Sequence, residues 1–173
     1  MKMKNVTDED SSHVIIERIL THMVSKFEEC CENDIYKLPK DQLKFHSWKV
    51  PHIGLDKYLQ RIYKYVKCSP ICYIVALIYI DRAIQRNQYF FLTKFNAHRS
   101  FSVYSFRLIM ASLILAIKFC DDTFFSNIFY SKVAGVSCRE MNSLEAELLK
   151  MIDYELCVSS EEYKRYEEQL NQV

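Results

Sequence analysis

LIMASLILAIKFCDDTFFSN, residues 108–127, decides how this chain is read. From Leu108 to Ile117 the stretch is strongly apolar, and then it breaks on Lys118, Phe119 and the aspartates Asp121 and Asp122. A helix without a polar face belongs in the centre of a bundle. This one nevertheless ends on a cation, followed at once by two acids. The helix dipole favours a cation at a C-terminus, so Lys118 costs little where it stands. Its purpose is the question.

A second run of the same kind precedes it. Ser69 before Pro70 is a helix start, a capping residue followed by proline at the first helical position. The helix it opens, residues 70–86, is apolar nearly all round through Ile80. Each apolar run is about half of what spans a bilayer, so both read as buried core helices.

Around this pair the period is helical throughout. Leu55, Tyr58, Leu59, Ile62 and Val66 line one face of a helix over 55–67. An aromatic connector covers 87–102 and the second central helix runs over 103–121. A short helix over 127–134 closes on Gly135. Ser137 and Glu140 form a capping box that opens a helix reaching Ile152. A last helix, 160–170, carries Tyr163, Tyr166 and Leu170 on one stripe. Upstream, residues 1–10 are a polar tail, 11–32 an amphipathic helix with Ile15, Ile19, Met23 and Phe27, and 33–54 a connector that Trp48 anchors to the core. The expected fold is all-α: five helices between Leu55 and Ile152, with a helix at either end.

Composition narrows the function. The 173 residues are 50% hydrophobic and 26% charged, which is globular rather than disordered. The two glycines, Gly54 and Gly135, stand far apart, so no phosphate loop or dinucleotide fingerprint is present. A net charge of +1 with no obvious basic face argues against direct nucleic-acid binding. Seven cysteines, an odd number, and an N-terminus without an apolar stretch point to free thiols inside the cell, in cytoplasm or nucleus. Cys68 and Cys72 would need two more ligands to hold zinc, and none is at hand, so no metal or other cofactor is expected. The five histidines lie mostly in tails and connectors, without the nucleophile and base that an enzyme needs.

In order along the chain, "RIYKY" (61–65), "CSP" (68–70), "YIDR" (79–82), "KFCDD" (118–122), "KVAGVS" (132–137) and "EMNSLEAE" (140–147) resemble a cyclin box. The finer pattern is similar to the P/U-type cyclins, which are related to the yeast phosphate-pathway cyclin. The resemblance covers about residues 51–156, places the box over 55–157 and leaves 158–173 as a C-terminal helix. It implies a protein without chemistry of its own that binds a cyclin-dependent kinase. Such a protein pushes the kinase's mobile N-lobe helix inward, so that a Lys–Glu ion pair forms and the activation loop opens. The family's kinase-contacting lysine and glutamate match Lys118 and Glu145, which can also pair with each other. Phe119, Tyr154 and Leu156 match the apolar part of that surface. Asp121 and Asp122 fit caps on the following short helix, with direct kinase contact by Asp121 as the other role. Asp81 and Arg82 are expected to form structural ion pairs between helices.

There are departures. Cell-cycle cyclins recruit basic-x-leucine substrates through a groove on the first box helix. Here its tryptophan position reads Tyr58 and its acidic position reads Arg61, so RxL-type docking is not expected. A second box has no room in this chain. The rival reading is a cyclin-box scaffold that binds a transcription or other regulatory partner without activating a kinase.

Overall fold

The computed structural model describes Phe45, residues 53–86 and residues 101–171. Among them are six helices and no strand: α1 (Leu55–Tyr65), α2 (Pro70–Arg86), α3 (Phe101–Cys120), α4 (Asn127–Ala134), α5 (Cys138–Met151) and α6 (Ser160–Asn171). The all-α expectation holds. The expected N-terminal helix over 11–32, the tail before it, Trp48 and most of the two connectors lie outside the described residues.

The two apolar runs form the middle of the molecule. Ile74 through Ile80 of α2 and Leu108 through Ile117 of α3 are buried without a break, and these two helices share the most extensive contact. Burial on every side is why neither run needs a polar face. Ser112 is the one polar residue buried within the α3 run, and its hydroxyl is satisfied by the Ile109 carbonyl at 2.9 Å. α5 packs on α3, and α4 on α5. Phe45 is fully buried in the same core, an anchor that the sequence reading did not single out.

Helix ends follow local chemistry, with three corrections. α4 does close on Gly135, which sits at φ 74°, where a side chain is disfavoured. α1 stops at Tyr65, two residues short of expectation, where Val66 turns extended. The capping box of α5 is half formed: Ser137 Oγ accepts from the Glu140 amide at 3.1 Å, but the Glu140 carboxylate goes to Arg107 Nε at 2.8 Å. An ion pair to α3 is worth more to Glu140 than one local amide. Asp121 does not cap α4, whose N-cap, Ser126, makes no side-chain cap bond. Its carboxylate instead accepts from the Ser69 amide at 3.0 Å and from the Ser69 hydroxyl. The end of α3 is thereby clamped to the start of α2.

Several acidic protons are buried here. Burial raises the phenols of Tyr58, Tyr79 and Tyr166 above the ordinary 10.0 and pushes the Cys120 thiol from 9.0 up to about 11. Raised folded values favour folding while these groups stay protonated. That contribution is complete below the ordinary values and is lost as pH climbs through the folded ones. The melting temperature should therefore hold near neutrality and fall between pH 9 and 11, the Cys120 window. A level melt across that range, followed by scanning calorimetry, would refute the buried-proton account.

Candidate functional site

Lys118 closes α3 and reaches across to α5. Its Nζ donates to both carboxylate oxygens of Glu145, at 2.6 and 2.8 Å. Asn127, the first residue of α4, donates from Nδ2 to the same carboxylate at 2.7 Å and to Asn142 Oδ1 at 2.7 Å. One carboxylate in the middle of α5 thus ties the end of α3 to the start of α4. The lysine side chain is 28% exposed and the glutamate only 14%. The cation is therefore the more accessible partner, and Glu145 is more a structural knot than a surface acid. Asn142 and Glu145 are three apart on α5, the spacing at which helix side chains meet. That spacing was the one cue to this network in the sequence, and the asparagines were missed. Asn127 Oδ1 is buried without a partner.

Beside the pair the surface turns apolar. Phe119 is 48% exposed, and Phe124, Phe125 and Ile128 stand out from the α3–α4 turn and the start of α4. Phe125 lies 4.4 Å from Phe129, centroid to centroid. Two adjacent phenylalanines in a polar stretch without a helical period were the available signal for this patch. Behind Phe119 a groove of about 330 Å³ opens between Ile71, Val75, Phe119, Leu156, Val158 and Tyr163. Its far wall is α6, which contributes Tyr163 from the stripe expected on that helix.

The segment after α5 supplies the other edge. Asp153 and Tyr154 both lie in the left-handed region, at φ 53° and 57°, and Tyr154 is 64% exposed. From there the chain is held from below by α2. The Tyr79 hydroxyl donates to the Leu156 carbonyl at 2.7 Å. Arg82 donates to the carbonyls of Glu155 and Cys157, at 2.7 and 2.9 Å, and to Glu162 at 2.6 Å. Arg86 adds bonds to the Ile152 carbonyl and to Glu155. Asp81 accepts the Tyr166 hydroxyl at 2.9 Å. Asp81 and Arg82 therefore fasten α6 and its approach to α2, and half-buried Leu156 is pinned through its own backbone and both neighbours.

Lys118 and Glu145 are paired, Phe119 and Leu156 line the same groove, and Tyr154 and Asp121 stand close to them in sequence, two residues before Leu156 and two after Phe119. Tyr58 and Arg61 are elsewhere, on α1. The Tyr58 ring is buried and its hydroxyl donates to the Phe106 carbonyl at 3.1 Å, while Arg61 is exposed and reaches the Lys132 carbonyl at 2.9 Å. Among the described residues no cluster could hold a metal ion, and no helix is long and apolar enough to cross a membrane.

The pattern of the cyclin family matches residues 7–156. Cyclin-P3-1 of Oryza sativa subsp. japonica is 34% identical over 163 residues, covering 94% of this chain and 64% of that protein. Cyclin-U4-1 of Arabidopsis thaliana is 34% identical over 157 residues, covering 88% and 74%. Cyclin-U4-2 of the same plant is 35% identical over 168 residues, covering 94% and 74%. The chain thus spans 64% to 74% of the length of these relatives.

Proposed function

This chain belongs to the cyclin family, in its P/U-type branch, and from that premise we propose that it binds and activates a cyclin-dependent serine/threonine kinase. Cyclins are in general regulatory subunits that bring no catalytic groups. The proposed contact face holds Lys118, Glu145, Phe119, Tyr154 and Leu156, with Asp121 at its edge. In it Lys118 donates to kinase backbone carbonyls and Glu145 accepts from backbone amides. The apolar side chains around them supply the area from which most of the affinity comes. The kinase's mobile helix is held inward as a result, which assembles its catalytic Lys–Glu pair.

Tyr154 is the observation that carries this reading best. A left-handed backbone is costly for a bulky residue, and a side chain 64% exposed returns little to the fold. Strain retained for an exposed aromatic points to a partner. Tyr154→Gly relieves that strain and is expected to leave stability within about 0.5 kcal/mol of wild type. Kinase capture from a cell extract should nevertheless fall, as it should for Phe119→Glu. Captured kinase, identified by mass spectrometry and assayed for phosphate transfer, is the readout. If both variants capture kinase as wild type does, the face is wrongly assigned. If wild type captures a kinase that transfers no phosphate, the protein is a scaffold rather than an activator.

The exposed Arg61 would repel the basic residue of an RxL-type ligand, so this reading includes no such docking. It places the protein in the cytoplasm or nucleus, where an exposed free thiol such as Cys157 stays reduced.

A further inference from the structure

Charge on this molecule is segregated in a way that a net value of +1 conceals. From Lys57 to Ile80 the chain holds four cations, Lys57, Arg61, Lys64 and Lys67, and no acid. Lys57, Arg61 and Lys64 follow one another at spacings of four and three on α1, opposite buried Tyr58, Leu59 and Ile62, and so form one exposed stripe. The bond from Arg61 to the Lys132 carbonyl sets exposed Lys132 of α4 beside it. Ion pairs among the described residues draw their cations from Arg82, Arg86, Arg107 and Lys118, and from none of these five. The acids gather elsewhere: residues 153–168 carry six, against two cations. A basic face does exist, contrary to the reading of the sequence.

We propose that this stripe docks an acidic peptide segment of a protein partner, glutamate-rich or phosphorylated. Size favours a peptide over a nucleic acid. Helix α1 has 11 residues, a length of about 16 Å, which matches about five residues of extended peptide. Tyr65, 48% exposed with Lys64 Nζ 5.4 Å from its ring centre, gives the stripe an apolar plate at one end. The stripe shares no residue with the kinase face, so the inference stands apart from that reading.

The test is fluorescence anisotropy with the full chain and a labelled glutamate-rich peptide, its phosphoserine counterpart and a neutral scramble. Lys57→Glu/Lys64→Glu is compared with Lys150→Glu/Arg165→Glu, which makes the same change in charge at exposed sites off the stripe. Both acidic peptides should bind wild type, more weakly as salt rises. The stripe variant should lose on the order of tenfold or more, and the control variant about twofold at most. Equal losses in the two variants would reduce the effect to net charge and overturn the proposal. So would failure of both acidic peptides to bind at low salt, or tighter binding of duplex DNA or of anionic phospholipid vesicles than of either peptide.

Discussion

Arg82→Ala is expected to cost about 3–5 kcal/mol, the range for breaking a largely buried charged contact. The Arg82 side chain is 11% exposed and holds two backbone carbonyls of the segment that leads into α6 and a carboxylate of α6 itself. Truncation leaves Glu162 without its cation and the carbonyls of Glu155 and Cys157 without donors. Arg86 still holds Ile152 and Glu155 and Tyr79 still holds the Leu156 carbonyl, so the break falls between Cys157 and Glu162 rather than throughout α6. Leu156 borders that break and loses the support of both its neighbours' carbonyl bonds. The variant should thus lose kinase capture although Arg82 is not on the proposed contact face. Arg82→Lys restores the charge but not the fork of donors, and should recover less than half of the stability. Denaturant melts measure the cost, and limited proteolysis locates it. A loss below about 1 kcal/mol would show that Arg82 is only a surface pair, and new cleavage elsewhere would show that the clamp is misplaced.

The contrast between Arg82 and α2 itself shows what was legible in the sequence. That α2 and α3 are central follows from two apolar runs, because burial on all sides leaves a local mark in every residue. Gly135 and Ser137 mark helix ends through backbone geometry and hydrogen bonding within a few residues, so they too could be read. Long-range polar partners leave no such mark. Asp121 bonds to Ser69 at a separation of 52 residues, and Glu140 to Arg107 at 33. In both cases the nearby helix offered a plausible but wrong partner. Lys118 and Glu145 were singled out through family resemblance, not through any period, and Asn127 escaped because an asparagine at a helix start looks ordinary. The stripe on α1 has its helical spacing in the sequence, but a balanced total charge masks it.

The pair at the end of α3 should separate folding from binding. Glu145→Ala alone is expected to be the most destabilising change there, at about 2–3 kcal/mol, because it strips the acceptor from both Lys118 and Asn127. Lys118→Ala should cost about 1 kcal/mol, since Asn127 still satisfies one carboxylate oxygen and solvent reaches the site. The double variant should cost less than the two singles together, by a coupling of about 1–2 kcal/mol, because it removes the stranded lysine as well. Kinase capture behaves differently: it should fail in Lys118→Ala and in the double variant alike, whatever their stability. Glu145→Gln sharpens the distinction. The amide oxygen can still accept from Asn127, so most of the stability should return, yet the charge that holds Lys118 and meets the kinase is gone. Melts and capture assays run on the same four proteins decide the matter. Capture that rises and falls with melting temperature would make the pair a structural knot and nothing more. Capture lost in the well-folded Lys118→Ala would assign the cation itself to the partner, and so answer why a helix built for the interior ends on a lysine.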